Sequence, residues 1–112
     1  MLSPAQETLL RQLSIGDEAL LASTAVPPAS ALSGRTAALV RLAVLILRDS
    51  SLASYQRSVN AALDSGASVD EILALLPLLA QLAGCTAVVA AAPKLAMALG
   101  YDVEHSLEEI AR

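Results

Sequence analysis

Four hydroxyl-bearing side chains, Ser51, Ser54, Tyr55 and Ser58, recur at the i, i+3, i+4, i+7 spacing that lines one face of a helix. Together they make a polar patch able to hydrogen-bond a small ligand. The same serines also suit a helix start, where a hydroxyl accepts from free backbone N–H groups. Tyr55 either lines that patch or fills a gap between small side chains with its hydroxyl at the rim. Arg41, Arg48 and Arg57 supply planar cations that match a carboxylate. Their plainer role is pairing with Asp49, Asp64 or a neighbouring subunit. Cys85 follows Gly84 and precedes an apolar run, so it reads as a buried, inert thiol. His105 and Glu109 stand four apart, the spacing of a surface helix pair.

Several chemistries are excluded at once. One cysteine and one histidine leave no intramolecular disulfide and no Cys- or His-built metal site within a chain. No residue pattern calls for a cofactor. The net charge of −4 and the absence of any Lys/Arg run argue against nucleic acid as a partner. The start MLSPAQETLLRQL has neither a basic n-region nor a long apolar h-region, so no secretory leader is read and a cytoplasmic location is expected.

The elements that position these groups follow from composition. The chain of 112 residues is one domain's length, read as a single domain over 1–112. It is 55% hydrophobic and only 16% charged, against about 25% charged in an ordinary soluble domain. Phe and Trp are absent, and Ala and Leu dominate, which favours helix over sheet. A domain this small buries only about two-thirds of the surface its unfolded chain exposes. Its apolar excess must therefore meet other subunits or lipid. The stretch Ile72 to Ala92 carries no charge and matches the ~20 residues of a spanning helix. Pro77 and Gly84 interrupt it, and neither aromatic anchors nor a positive cluster flank it. The balance favours subunits, with a small membrane protein spanning Ile72–Ala92 as a lesser alternative.

The pattern predicts an all-α fold of six to seven short helices. Ser3-Pro4-Ala5-Gln6 is a capping-box start, and Gly16 ends that helix. A short helix follows over about 17–23, then a loop from Thr24 to Gly34 holding Pro27-Pro28. The third helix runs over about 35–48, with Leu39, Leu42, Ala43, Ile46 and Leu47 on one side. Asp49-Ser50-Ser51-Leu52 is a break and a new N-cap, and the fourth helix runs to about Ser65 with Gly66 closing it. Ser68-Val69-Asp70-Glu71 is a second capping box, opening a helix to about Leu82 that Pro77 should bend. A sixth helix over about 85–99 ends at Gly100, and Asp102 caps a last one ending near Arg112.

Two blocks carry a family resemblance. Arg35-Thr36-Ala37-Ala38-Leu39-Val40-Arg41-Leu42-Ala43 resembles the opening K-T-R-E-L-I-x-L-A. Val59-Asn60-Ala61-Ala62-Leu63-Asp64-Ser65-Gly66-Ala67-Ser68-Val69-Asp70-Glu71-Ile72 is similar to V-x-A-A-L-x-x-G-A-T-x-E-E-I. Together they resemble the carboxymuconolactone decarboxylase and alkylhydroperoxidase D-like family over about residues 33–100. The resemblance implies an alkylhydroperoxidase D-like helical fold assembling into trimers or hexamers through apolar helices. Peroxidase-type members of that family carry C-x-x-C-x-x-x-H with a Glu on the preceding helix. Those positions fall here on Ser51, Ser54, Ser58 and, allowing one inserted residue, Ala38. Serine hydroxyls cannot form a disulfide, and with no adjacent His or Glu they are poor nucleophiles. The histidine-bearing motif of the decarboxylase branch is also missing.

The reading is therefore a non-redox, catalytically degenerate homo-oligomer that binds a small molecule or serves as a structural module. Its pocket residues would be Arg41, Ser51, Ser54, Tyr55 and Ser58. The alternative is a cofactor-free lyase or isomerase acting on a small carboxylated or cyclic substrate, with the same residues as polarising groups.

Overall fold

A computed structural model describes residues 1–22 and 31–111. Most of the expected loop, with Pro27-Pro28, lies outside the described residues, as do the expected helix ends at Ser23 and Arg112. Every regular element among the described residues is an α-helix: α1 (Pro4–Ser14), α2 (Glu18–Leu21), α3 (Gly34–Leu47), α4 (Leu52–Asp64), α5 (Val69–Ala83), α6 (Cys85–Ala98) and α7 (Val103–Ala111). The chain divides into two compact units, Met1–Ala31 and Leu32–Arg112.

In the first unit the capping box at Ser3 is complete. Ser3 Oγ accepts from the Gln6 N–H at 3.2 Å, and Gln6 Oε1 accepts from the Ser3 N–H at 2.8 Å. No side chain of α1 is buried. Its stability thus rests on local terms, namely the cap, Pro4 in the first turn and the turn at Gly16.

The second unit is built on α3 to α6. Helix α3 packs on α4, α5 and α6; α4 and α5 also pack on α6, and α7 lies on α6. Ala38, Leu42 and Ile46 of α3 meet Tyr55, Val59 and Ala62 of α4, Ile72 and Leu79 of α5, and Ala91 and Leu95 of α6. The buried row of α3 follows the i+4 ridge. Leu47, expected on this face, instead points outward with Val40 and Val44 and is 44% exposed.

Helix α4 ends where Gly66 takes φ +96°, a left-handed conformation that costs glycine nothing. The Gly66 N–H donates to the Leu63 carbonyl and the Ala67 N–H to the Ala62 carbonyl, a Schellman closure. The next residue, Ser68, starts α5: its Oγ accepts from the Glu71 N–H at 3.1 Å, and Glu71 Oε1 accepts from the Ser68 N–H at 3.0 Å. The two signals together fold the chain back within four residues of α4. Helix α5 runs through Pro77 and α6 through Pro93, neither of which brings an N–H to its ladder. Gly84, at φ +94°, divides them, so the uncharged stretch 72–92 is two helices. Among the described residues no helix is long and apolar enough to cross a membrane.

Candidate functional site

The polar groups converge where α3 gives way to α4. Arg48 caps α3, and Asp49 takes φ +51°, in the left-handed region that Asp tolerates better than most residues. Ser51 then caps α4. Its Oγ accepts from the Ser54 N–H at 3.2 Å and donates to Ser54 Oγ at 3.1 Å. The carbonyl of Leu45 is the centre of the turn. It accepts from the Arg48 N–H at 3.2 Å, from Ser50 Oγ at 3.1 Å and from the Tyr55 hydroxyl at 3.1 Å. From α6, Lys94 Nζ donates to Asp49 Oδ1 at 3.1 Å and to the Ser50 carbonyl at 3.2 Å. One ammonium thus ties α6 to the turn before α4.

These bonds sort the expected pocket residues. Tyr55 does not line a pocket or a subunit interface. Its ring is fully buried in the chain's own core, because α4 turns this position toward α3 and α6. Burial, and secondarily the Asp49 carboxylate, raises its hydroxyl pKa above the ordinary tyrosine value. Ser51 is exposed, but its hydroxyl is committed to the cap. Arg41 is exposed on α3, and it does not line the hollow that the serines form. Ala38 is buried in the core.

What the structure does bring together is smaller. Ser54, Arg57 and Ser58 of α4, with Leu45 of α3, line an open hollow of about 310 Å³. Ser54 and Ser58 are half-buried, while Arg57 is exposed. Neither Arg57 nor Ser58 has a side-chain hydrogen bond or ion pair among the described residues. A guanidinium with two flanking hydroxyls can accept a carboxylate or another small anion, with Leu45 against an apolar portion.

The other chemistry-bearing residues lie apart. Cys85, expected buried, is exposed: it is the first residue of α6, directly after the Gly84 turn, in the exposed run 81–86. His105 Nε2 lies 3.1 Å from Glu109 Oε1 on the surface of α7, as the spacing predicts. Asp49 pairs with Lys94 rather than with an arginine, and Glu71 with Arg35 at 2.8 Å. A second hollow, about 240 Å³, lies among Leu52 of α4, Pro93, Lys94 and Met97 of α6, and Asp102 and Val103 at the start of α7. Sequence reasoning had no signal for it, because its walls come from distant segments. Its charged groups are already engaged, Lys94 as above and Asp102 Oδ1 by the His105 N–H at 3.1 Å. Among the described residues no group of His, Cys, Asp or Glu could hold a metal ion. No family model, no curated protein and no solved structure matches the chain.

Proposed function

We propose that this protein is a non-redox, catalytically degenerate member of the carboxymuconolactone decarboxylase and alkylhydroperoxidase D-like type, a self-associating helical module that holds a small anionic molecule. The observation that carries this reading is the open hollow on α4, where Arg57 and Ser58 remain unengaged among the described residues, beside Ser54. The resemblance puts the family's thiols and histidine at Ser51, Ser54 and Ser58, and hydroxyls there can bind but cannot cycle a disulfide. Self-association is supported by the outward apolar residues of the uncharged stretch, Leu73, Leu78 and Leu82 of α5 and Val89 of α6.

The lyase or isomerase alternative is weaker on this geometry. Its polarising tyrosine would be Tyr55, whose hydroxyl is donated to the Leu45 carbonyl inside the core. Arg41 is likewise outside the hollow.

Two measurements test the proposal together. Hydroperoxide consumption with a dithiol donor is expected at the uncatalysed rate, and turnover abolished by Cys85→Ser would overturn the non-redox reading. Titration with short carboxylates, followed by backbone amide NMR, is expected to shift Ser54, Arg57 and Ser58 and to lose those shifts in Arg57→Ala. Shifts clustered elsewhere, or none at millimolar ligand, would remove the hollow as the site.

A further inference from the structure

We propose that the hollow on α4 takes a phosphate monoester, with Arg41 and Arg48 of α3 meeting its second negative charge. The inference rests on the anion-binding reading above and names the class of anion.

The hollow is one part of a longer groove between α3 and α4. Only residues 48–51 join the two helices, so they run antiparallel. At one end of the pair the Tyr55 hydroxyl reaches the Leu45 carbonyl. At the other end a Cβ on Gly34 would stand 3.9 Å from Ser65 Oγ. Leu45 is the residue of α3 that lines the hollow. Arg41 and Arg48 stand at i−4 and i+3 from Leu45, spacings that share one side of a helix. They therefore border the groove on either side of the hollow, ~6 Å and ~4.5 Å from Leu45 along the axis. Arg57 lines the hollow from the α4 side.

The three guanidiniums have no competing partner. All are exposed, and none has an ion pair or a side-chain hydrogen bond among the described residues. Helix α3 contains no acidic residue, Asp49 is held by Lys94, and Asp64 lies about two turns beyond Arg57 at the end of α4. Ser54 Oγ accepts from the Ser51 hydroxyl, which leaves Ser54 its own proton to give. Ser58 adds a second hydroxyl.

This donor set exceeds what a carboxylate can use. A carboxylate is planar, and one guanidinium fork occupies both of its oxygens. Arg57 alone satisfies it, and the arginines of α3 are left with nothing to meet. A phosphate monoester carries close to two charges at neutral pH and three strongly accepting oxygens. It can accept from Arg57 and the two serines on one side and from α3 on the other, with its organic part against Leu45. Arg41 and Arg48 stand outside the hollow and reach the phosphate over its rim. The net charge of −4 repels an extended polyanion, which restricts the site to a small ester.

The test is titration of the full chain with ethyl phosphate, propionate and malonate, followed by backbone amide NMR at about pH 8, where the ester is a dianion. Ethyl phosphate is expected to shift Ser54, Arg57 and Ser58 with a Kd about tenfold or more below that of propionate. Arg41→Ala and Arg48→Ala should each raise the ethyl phosphate Kd about threefold or more and leave the propionate Kd within about twofold. Arg57→Ala should weaken both ligands. Circular dichroism checks that each variant remains helical. Three results overturn the proposal: ethyl phosphate no tighter than propionate, malonate as tight as ethyl phosphate, or α3 variants that leave the preference for phosphate intact. If propionate still shifts the hollow in those cases, the anion-binding reading stands without the phosphate. Shifts from none of the three ligands remove both.

Discussion

The two polar sets around α4 have similar chemistry and opposite fates. Around the Leu45 carbonyl, Ser50, Ser51, Tyr55, Asp49 and Lys94 are joined in hydrogen bonds that fix the turn and the start of α4. One or two turns further along α4, Arg57 and Ser58 hold the same kinds of groups with no side-chain partner among the described residues. The difference lies in whether a partner is within reach: the turn gives each of its groups one, whether exposed like Ser51 and Asp49 or buried like Tyr55, whose hydroxyl would otherwise bear a desolvation cost of about 1–3 kcal/mol. Arg57 is exposed and Ser58 half-buried, and water can satisfy both. A hydroxyl committed to the fold is unavailable for chemistry, so only the second set is a candidate for ligand binding.

That contrast sets a ranked series of outcomes. Tyr55→Ala removes a fully buried ring from the centre of the core and should cost about 3–5 kcal/mol in chemical denaturation. A loss below 1 kcal/mol would dissolve the distinction between the two sets. Tyr55→Phe keeps the ring and should cost about 1–1.5 kcal/mol, because the Leu45 carbonyl retains two other donors.

The same substitution carries a pH signature. The folded state holds the Tyr55 proton to a higher pH than the unfolded chain does. Its contribution is whole below pH ~10 and is lost as pH rises from there through the raised folded value. Denaturation midpoints at pH 8 and pH 11 should therefore diverge more in the parent than in Tyr55→Phe. Ser51→Ala removes the α4 cap and should cost about 1 kcal/mol. Arg57→Ala and Ser58→Ala should change stability by no more than about 0.5 kcal/mol while reducing carboxylate binding. Should either prove as costly as Ser51→Ala, the hollow too would be part of the architecture.

Signals that act within a few residues were legible in the sequence. The boxes at Ser3 and Ser68, the cap at Ser51, the closure at Gly66 and the cap at Asp102 all form as their spacing predicts. Each joins groups three to five residues apart, so no tertiary information is needed. What depended on the opposing element was not legible. Lys94 and Asp49 are 45 positions apart, and no local pattern favours that pair over an arginine partner. The i, i+3, i+4, i+7 spacing correctly put Ser54 and Ser58 on one stretch of α4, but it cannot say that Tyr55 is the residue turned inward. Cys85 was misread for a related reason: an apolar neighbourhood in sequence became the exposed turn between two helices.

The clasp at Lys94 has one more implication. Lys94 is the sole lysine in the chain. Its amine reacts with acylating reagents only when deprotonated and unbound, and here it is held by Asp49 and the Ser50 carbonyl. A protein with a single side-chain amine, spent on joining α6 to the α3–α4 turn, carries its own reporter. The acylation rate of that one nitrogen, set against the chain's α-amino group, measures how often the joint opens in the folded state.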